Sequence, residues 1–157
     1  MGTIRALPAL MAALAIAGCG GQRATSSGHT AAASPPSCHA LYHAWQHGPA
    51  RAEGKKLTAA LDAVQSASSA DDITLMASGL ERAARWAKAL EAYPMPACAD
   101  PHGYWRQILA LVRASGDNAK SAGNGLLGLL AAEVPLKKVP ALETKLKAEL
   151  KSTGAQP

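Results

Sequence analysis

The chain has 157 residues, with 16 Lys and Arg against 11 Asp and Glu, a formal net charge of +5, three cysteines and no phenylalanine. That length fits one domain with a modest core. The positive excess is too small to argue for nucleic acid, and no basic block interleaved with aromatic residues appears.

The first stretch, Met1 to Cys19, says where the chain is expected to reside. Arg5 supplies a positive start, Ala6 to Gly18 form an apolar run of about a dozen residues, and small residues close it, the layout of a secretory signal. A membrane span needs about 20 apolar residues. Pro8 interrupts this run and Cys19-Gly20-Gly21-Gln22 ends it, so the run falls short. Its last four residues, Ile16-Ala17-Gly18-Cys19, resemble the lipobox of bacterial lipoproteins, an aliphatic residue and two small ones before a cysteine.

The resemblance covers Met1 to Cys19 alone, and what it implies is specific. The Cys19 thiol would receive a diacylglyceryl group carrying palmitate-type chains, a peptidase would cut between Gly18 and Cys19, and Cys19 would become the mature N-terminus. Each buried CH₂ contributes about 0.8 kcal/mol, so two long chains hold where one would exchange. The expected location is the extracytoplasmic face of the cell membrane. Losing Arg5 with the signal would leave 15 basic against 11 acidic side chains.

Lipidation of Cys19 would also explain an odd cysteine count in an exported protein. Cys38 and Cys98 then remain as a pair in an oxidising compartment, where a disulfide is expected. Closing a loop of that length stabilises a fold by about 4 kcal/mol in the chain-entropy treatment. Redox catalysts use a Cys-x-x-Cys spacing that this chain lacks.

The expected organisation is a signal peptide over 1–18, a lipidated N-terminus and tether over 19–36, a helical domain over 37–152 and a tail over 153–157. Gly20 to Pro36 has no aliphatic residue larger than alanine and no periodicity. Such a flexible tether has a root-mean-square span of about 20 to 25 Å, enough to lift a small domain clear of lipid headgroups.

Ser37 is placed to cap a first helix carrying Cys38, Leu41, Tyr42 and Trp45 on one face. Gly48-Pro49 ends it and opens a second helix, with Leu57, Ala60, Leu61, Val64 and Ala67 in helical period. After a turn over Ser68 to Asp71, Asp71 is expected to cap a third helix. Its seam is Ile73, Met76, Leu80, Ala83, Ala87 and Leu90, with Glu81, Arg82, Arg85 and Lys88 facing away.

Pro94 to Cys98 reads as a rigid connector, and Asp100-Pro101 as the cap and first position of a fourth helix with Tyr104, Ile108, Leu111, Val112 and Ser115 on one side. Gly116, Gly123, Gly125 and Gly128 weaken helix beyond Ser115, so residues 118–133 are expected to be helical in pieces. A last helix starts near Pro140 with the stripe Val139, Leu142, Leu146 and Leu150 among lysines. No alternating β-branched run predicts a strand. The fold expected is therefore all-α, a small bundle of four to five helices with one disulfide between Cys38 and Cys98.

One grouping points to ligand chemistry. His39, His43 and His47 are spaced by four along the first helix, and imidazoles at i and i+4 chelate Zn²⁺, Cu²⁺ or Ni²⁺. His102, four residues after Cys98, would approach them through the disulfide. Against a metal site, the three histidines lie opposite the apolar face, where no neighbouring group would orient them. The aromatics Tyr42, Trp45, Trp86, Tyr104 and Trp105 read as core before they read as a pocket lining.

Motifs for nucleotide binding or nucleophilic chemistry are not convincing. Gly123 to Gly128 satisfies G-x-G-x-x-G without a preceding strand, and no G-x-S-x-G, S-x-x-K or H-E-x-x-H occurs. No catalytic residue and no cofactor are expected. The sequence thus supports two functions: a non-enzymatic interaction module meeting a protein partner of the cell envelope, or a bundle that binds a small ligand or metal.

Overall fold

Ser37 opens the folded part with extended backbone, and its hydroxyl accepts the Ala40 amide hydrogen over 3.2 Å. The structure is a computed structural model in which residues 35–121 and 126–156 are described. Helix α1 runs Cys38–His47, α2 Ala50–Ser69, α3 Ile73–Leu90, α4 Tyr104–Ser121, α5 Leu126–Leu136 and α6 Val139–Ser152. There is no strand among the described residues. The protein is an all-α bundle, and Cys38 and Cys98 form its disulfide, with Cα atoms 5.7 Å apart and a sequence separation of 60. The leucine-rich stretch after Gly125 contributes its own helix, α5, which makes six helical segments among the described residues.

Each helix from α2 onward packs on the next, α2 on α3, α3 on α4 and α4 on α5, while α6 returns to α4. The α2–α3–α4 packing relies on small residues. A Cβ built on Gly79 would meet Val64 Cγ2 at 2.6 Å, and one built on Gly116 would meet the Leu80 carbonyl oxygen at 2.6 Å and the Ala84 methyl. These glycines let helix backbones approach closely. Ala83 and Ala87 of α3 are fully buried in the same core, with Leu57, Ala60, Leu90, Leu109 and Val112.

A second core joins α1, α4 and α6 through Tyr42, Ile108, Val139, Leu146 and Leu150. Trp45 and Trp105 border both cores and meet edge to face at 5.8 Å, a favoured aromatic geometry. A third cluster of Leu80, Ala119 and Ala132, with Val64, Leu129 and Leu136, ties α5 to its neighbours.

Helix α5 contains Pro135, which has no amide hydrogen to give the carbonyl four residues earlier. That carbonyl belongs to Ala131, and the Asn118 side-chain amide donates to it over 3.1 Å. One turn earlier on α4, the buried Ser115 hydroxyl donates to the Ala132 carbonyl over 2.6 Å. Two α4 side chains thus hold the proline-bearing end of α5.

Several boundaries differ from the sequence expectation. Asp72, not Asp71, caps α3, its Oδ1 accepting the Leu75 amide hydrogen over 2.9 Å. Asp71 instead takes the left-handed turn position, φ 55°, which aspartate tolerates better than most residues. The fourth helix begins at Tyr104, not Pro101, because the Asp100 carboxylate accepts the amide hydrogens of both Tyr104 and Trp105, over 2.6 and 2.9 Å. It also passes through Gly116 to Ser121, where close contact with α3 offsets the low helix propensity of glycine.

Leu41 and Ile73, expected in buried seams, are exposed, whereas Tyr42 is buried as expected and Ala77, outside the expected seam, is buried as well. Residues 153–156 do not trail away as a tail. Ala155 is buried, and the Gln156 amide hydrogen bonds the Leu150 carbonyl over 3.0 Å.

Candidate functional site

Cys19, the residues before it and the tether through residue 34 lie outside the described residues. So does the glycine-rich segment 122–125. Among the described residues no helix is long and apolar enough to cross a membrane.

The histidine ladder is on the outer side of α1, as its spacing requires, and all three residues are exposed. The His39 and His43 ring centroids are 6.2 Å apart and those of His43 and His47 are 4.2 Å apart. His47 Nδ1 also meets the Arg51 guanidinium at 3.3 Å. His102 does not complete the ladder: its ring stacks on Tyr104, centroids 5.5 Å apart, and its Nδ1 pairs with the Glu149 carboxylate of α6. Among the described residues no three or more His, Cys, Asp or Glu side chains converge on a point that would hold a metal ion.

The aromatic residues mostly close the core. Trp45 donates its indole hydrogen to the Tyr93 carbonyl over 2.9 Å, linking α1 to the connector after α3. Trp86 is covered by the Lys56 ammonium, 4.5 Å from the ring centroid. Burial raises the Tyr42 phenol pKa above its ordinary value, against the hydrogen bonds of Gln156 and Gln46, which lower it. Burial likewise raises that of Glu143, with the Lys147 charge opposing.

Two recesses open on the surface. One, about 510 Å³, lies beside the 94–103 connector and is lined by Met95, His102, Trp105, Arg106 and Leu109 among others. The other, about 460 Å³, is a groove between α3 and α4. Glu81, Arg85 and Lys88 form one wall, Arg113, Asp117 and Lys120 the other, and Ala84 and Gly116 the floor. Arg113 also forms a two-pronged ion pair with Glu91, at 2.8 and 3.1 Å.

Both groove walls carry charged residues at positions 0, 4 and 7 of their helices, one face in each case. The small floor residues bring the walls together. Four cationic side chains and two carboxylates line the groove, and with Arg113 paired to Glu91 Arg85, Lys88 and Lys120 still leave it a small positive balance, which suits acidic groups. The repeated spacing was legible in the sequence. What it lacked was the pairing of α3 with α4, without which Arg85 and Lys88 look only like a solvated back.

No protein-family model, curated protein or solved structure matches the chain.

Proposed function

We propose that this chain is a lipid-anchored protein of the extracytoplasmic face of the cell membrane, held through Cys19, whose bundle is a non-enzymatic interaction module for another envelope protein. The observation that carries the interaction reading is the α3–α4 groove, where Arg85, Lys88, Arg113 and Lys120 line one recess. Its occupant is an acidic segment of the partner. The location is supported by the lipobox-like Ile16-Ala17-Gly18-Cys19, and by a Cys38 to Cys98 disulfide that suits an oxidising compartment.

The test is carboxyl-to-amine crosslinking in intact cells, with the native chain beside an Arg85→Glu/Lys88→Glu/Lys120→Glu variant. A discrete crosslinked partner that falls at least tenfold in the variant is expected. An unchanged yield, or no partner in the native chain, would remove the reading.

A second reading, a bundle that binds metal or a small ligand, is favoured by the close approach of the His43 and His47 rings. Two imidazoles at i and i+4 supply two ligands, with solvent completing the shell. Elemental analysis and Cu²⁺ or Ni²⁺ titration of the untagged chain, beside His43→Ala/His47→Ala, decide it. Stoichiometric metal that the variant loses is required.

A further inference from the structure

Helix α5 is apolar on two faces, and only one of them is used by the bundle. Its inner face places Gly128 and Ala132 in buried positions and packs Leu129 and Leu136 into the third core cluster. Its outer face carries Leu126, Leu127, Leu130 and Val134, which are 61, 75, 53 and 61% exposed. At about 100° per residue these four positions fall within about 100° of arc, a continuous stripe about 12 Å long. Single exposed leucines are ordinary, whereas an aligned set marks an interaction surface.

We infer that this face of α5 docks on an anionic lipid bilayer, seating the bundle against the membrane to which Cys19 would tether it. Two features choose the bilayer over a second copy of the chain. The first is size: a standard protein interface takes about 20 to 30 residues a side, and this stripe offers four large apolar side chains. A bilayer sets no such minimum, because an interfacial helix buries only its apolar face, to a depth of about 5–10 Å.

The second feature is charge. The stripe itself contains no charged residue, and Lys137 and Lys138 follow within four residues of its last member, Val134, both exposed. The one carboxylate beside it, Glu133, is paired with Lys137 at 3.1 Å, which leaves Lys138 to face anionic headgroups. Apolar side chains flanked by lysines whose stems reach up to the headgroups are the pattern of a surface-lying helix. The docking inference rests on the lipid-anchored reading only for proximity to a membrane, and the two can fail separately.

The test uses the full chain reconstituted with vesicles, with Leu127 replaced by the photoreactive residue p-benzoylphenylalanine, and Arg82, on the polar side of α3, replaced in a control. Illumination should give lipid adducts on the peptide containing position 127 in phosphatidylglycerol/phosphatidylcholine vesicles. The yield should be at least fivefold lower in phosphatidylcholine alone and at position 82. A Leu126→Asp/Leu130→Asp change should lower it at least fivefold. If circular dichroism shows that variant unfolded, Lys137→Glu/Lys138→Glu should still reduce the preference for anionic vesicles.

Equal adducts at 127 and 82, or none at 127, would overturn the inference. So would adducts joining 127 to a second chain or to residues 6–18 of its own chain. Mass spectrometry of Cys19 from the same sample separates the two readings. Lipid on Cys19 without adducts at 127 removes docking and keeps the anchor, whereas adducts at 127 on a chain without lipid keep docking and remove the anchor.

Discussion

The Gln156 side-chain amide donates to the Tyr42 hydroxyl over 3.2 Å, joining the end of the chain to the first helix across 114 residues. With Ala155 buried beside it in the same core as Tyr42, this contact turns the last residues into part of the bundle. Burial in this core makes the Tyr42 phenol resist losing its proton, against the hydrogen bonds of Gln156 and Gln46, which favour the charged form.

The sign of the resulting pH dependence follows from linkage. The folded-state pKa of Tyr42 is raised above the ordinary tyrosine value of 10.0, so the folded chain binds more protons than the unfolded one in the window above pH 10. Stability contributed by the neutral phenol is full below that window and is lost as pH rises through the folded-state pKa. Urea unfolding midpoints from pH 8 to 11 should therefore fall at the alkaline end, and Tyr42→Phe should flatten that fall. An equally steep decline in the variant would assign it elsewhere.

Gly116→Ala should destabilise the protein by about 1–3 kcal/mol, as an overpacked core does. On an exposed helix the same change would help by about 1 kcal/mol. Here the new methyl would meet the Leu80 carbonyl oxygen at 2.6 Å, and a backbone atom cannot rotate away. Thermal unfolding by circular dichroism gives the sign directly.

Asn118 and Pro135 should be coupled. Asn118→Ala removes the hydrogen bond to the Ala131 carbonyl and should cost about 1 kcal/mol. In a Pro135→Ala background residue 135 regains an amide hydrogen for that carbonyl, so the same Asn118 change should cost much less. A double-mutant cycle by urea denaturation measures the difference. Strict additivity would mean that Asn118 does not stand in for the missing amide.

Reduction of the Cys38 to Cys98 bond should lower stability by about 4 kcal/mol, because the loop it closes is 60 residues long. Unfolding of the native chain with and without reductant, beside Cys38→Ser/Cys98→Ser, checks this. The reduced chain and the variant should agree.

Much of the fold was readable because period and punctuation coincide in this chain. Leu57, Ala60 and Ala67 of α2, and Leu80, Ala83, Ala87 and Leu90 of α3, are buried at the positions their 3.6-residue spacing assigns. Errors arose where neighbouring residues offered the same chemistry. Asp71 and Asp72 are both capping residues, and only the tertiary turn decides which accepts the Leu75 amide hydrogen. Gly116 reads as a helix breaker until α3 lies against it.

The surfaces were harder to read than the core. The α3–α4 groove exists only when two charged faces meet, and the exposed stripe of α5 could not be told from core by composition. Leu129 and Leu130 are adjacent in sequence, yet the first packs inside and the second is exposed. His102 shows the same limit, since its partner Glu149 is 47 residues away.

The proposed anchoring of the bundle to the extracytoplasmic face of a membrane would run through Cys19. Intact-mass and N-terminal peptide analysis of the protein extracted from its own cells tests it most directly. A chain that begins at Cys19, carries a diacylglyceryl mass on that residue and retains the Cys38 to Cys98 bond is the expected result. An unmodified Cys19, or a mature N-terminus elsewhere, would contradict it.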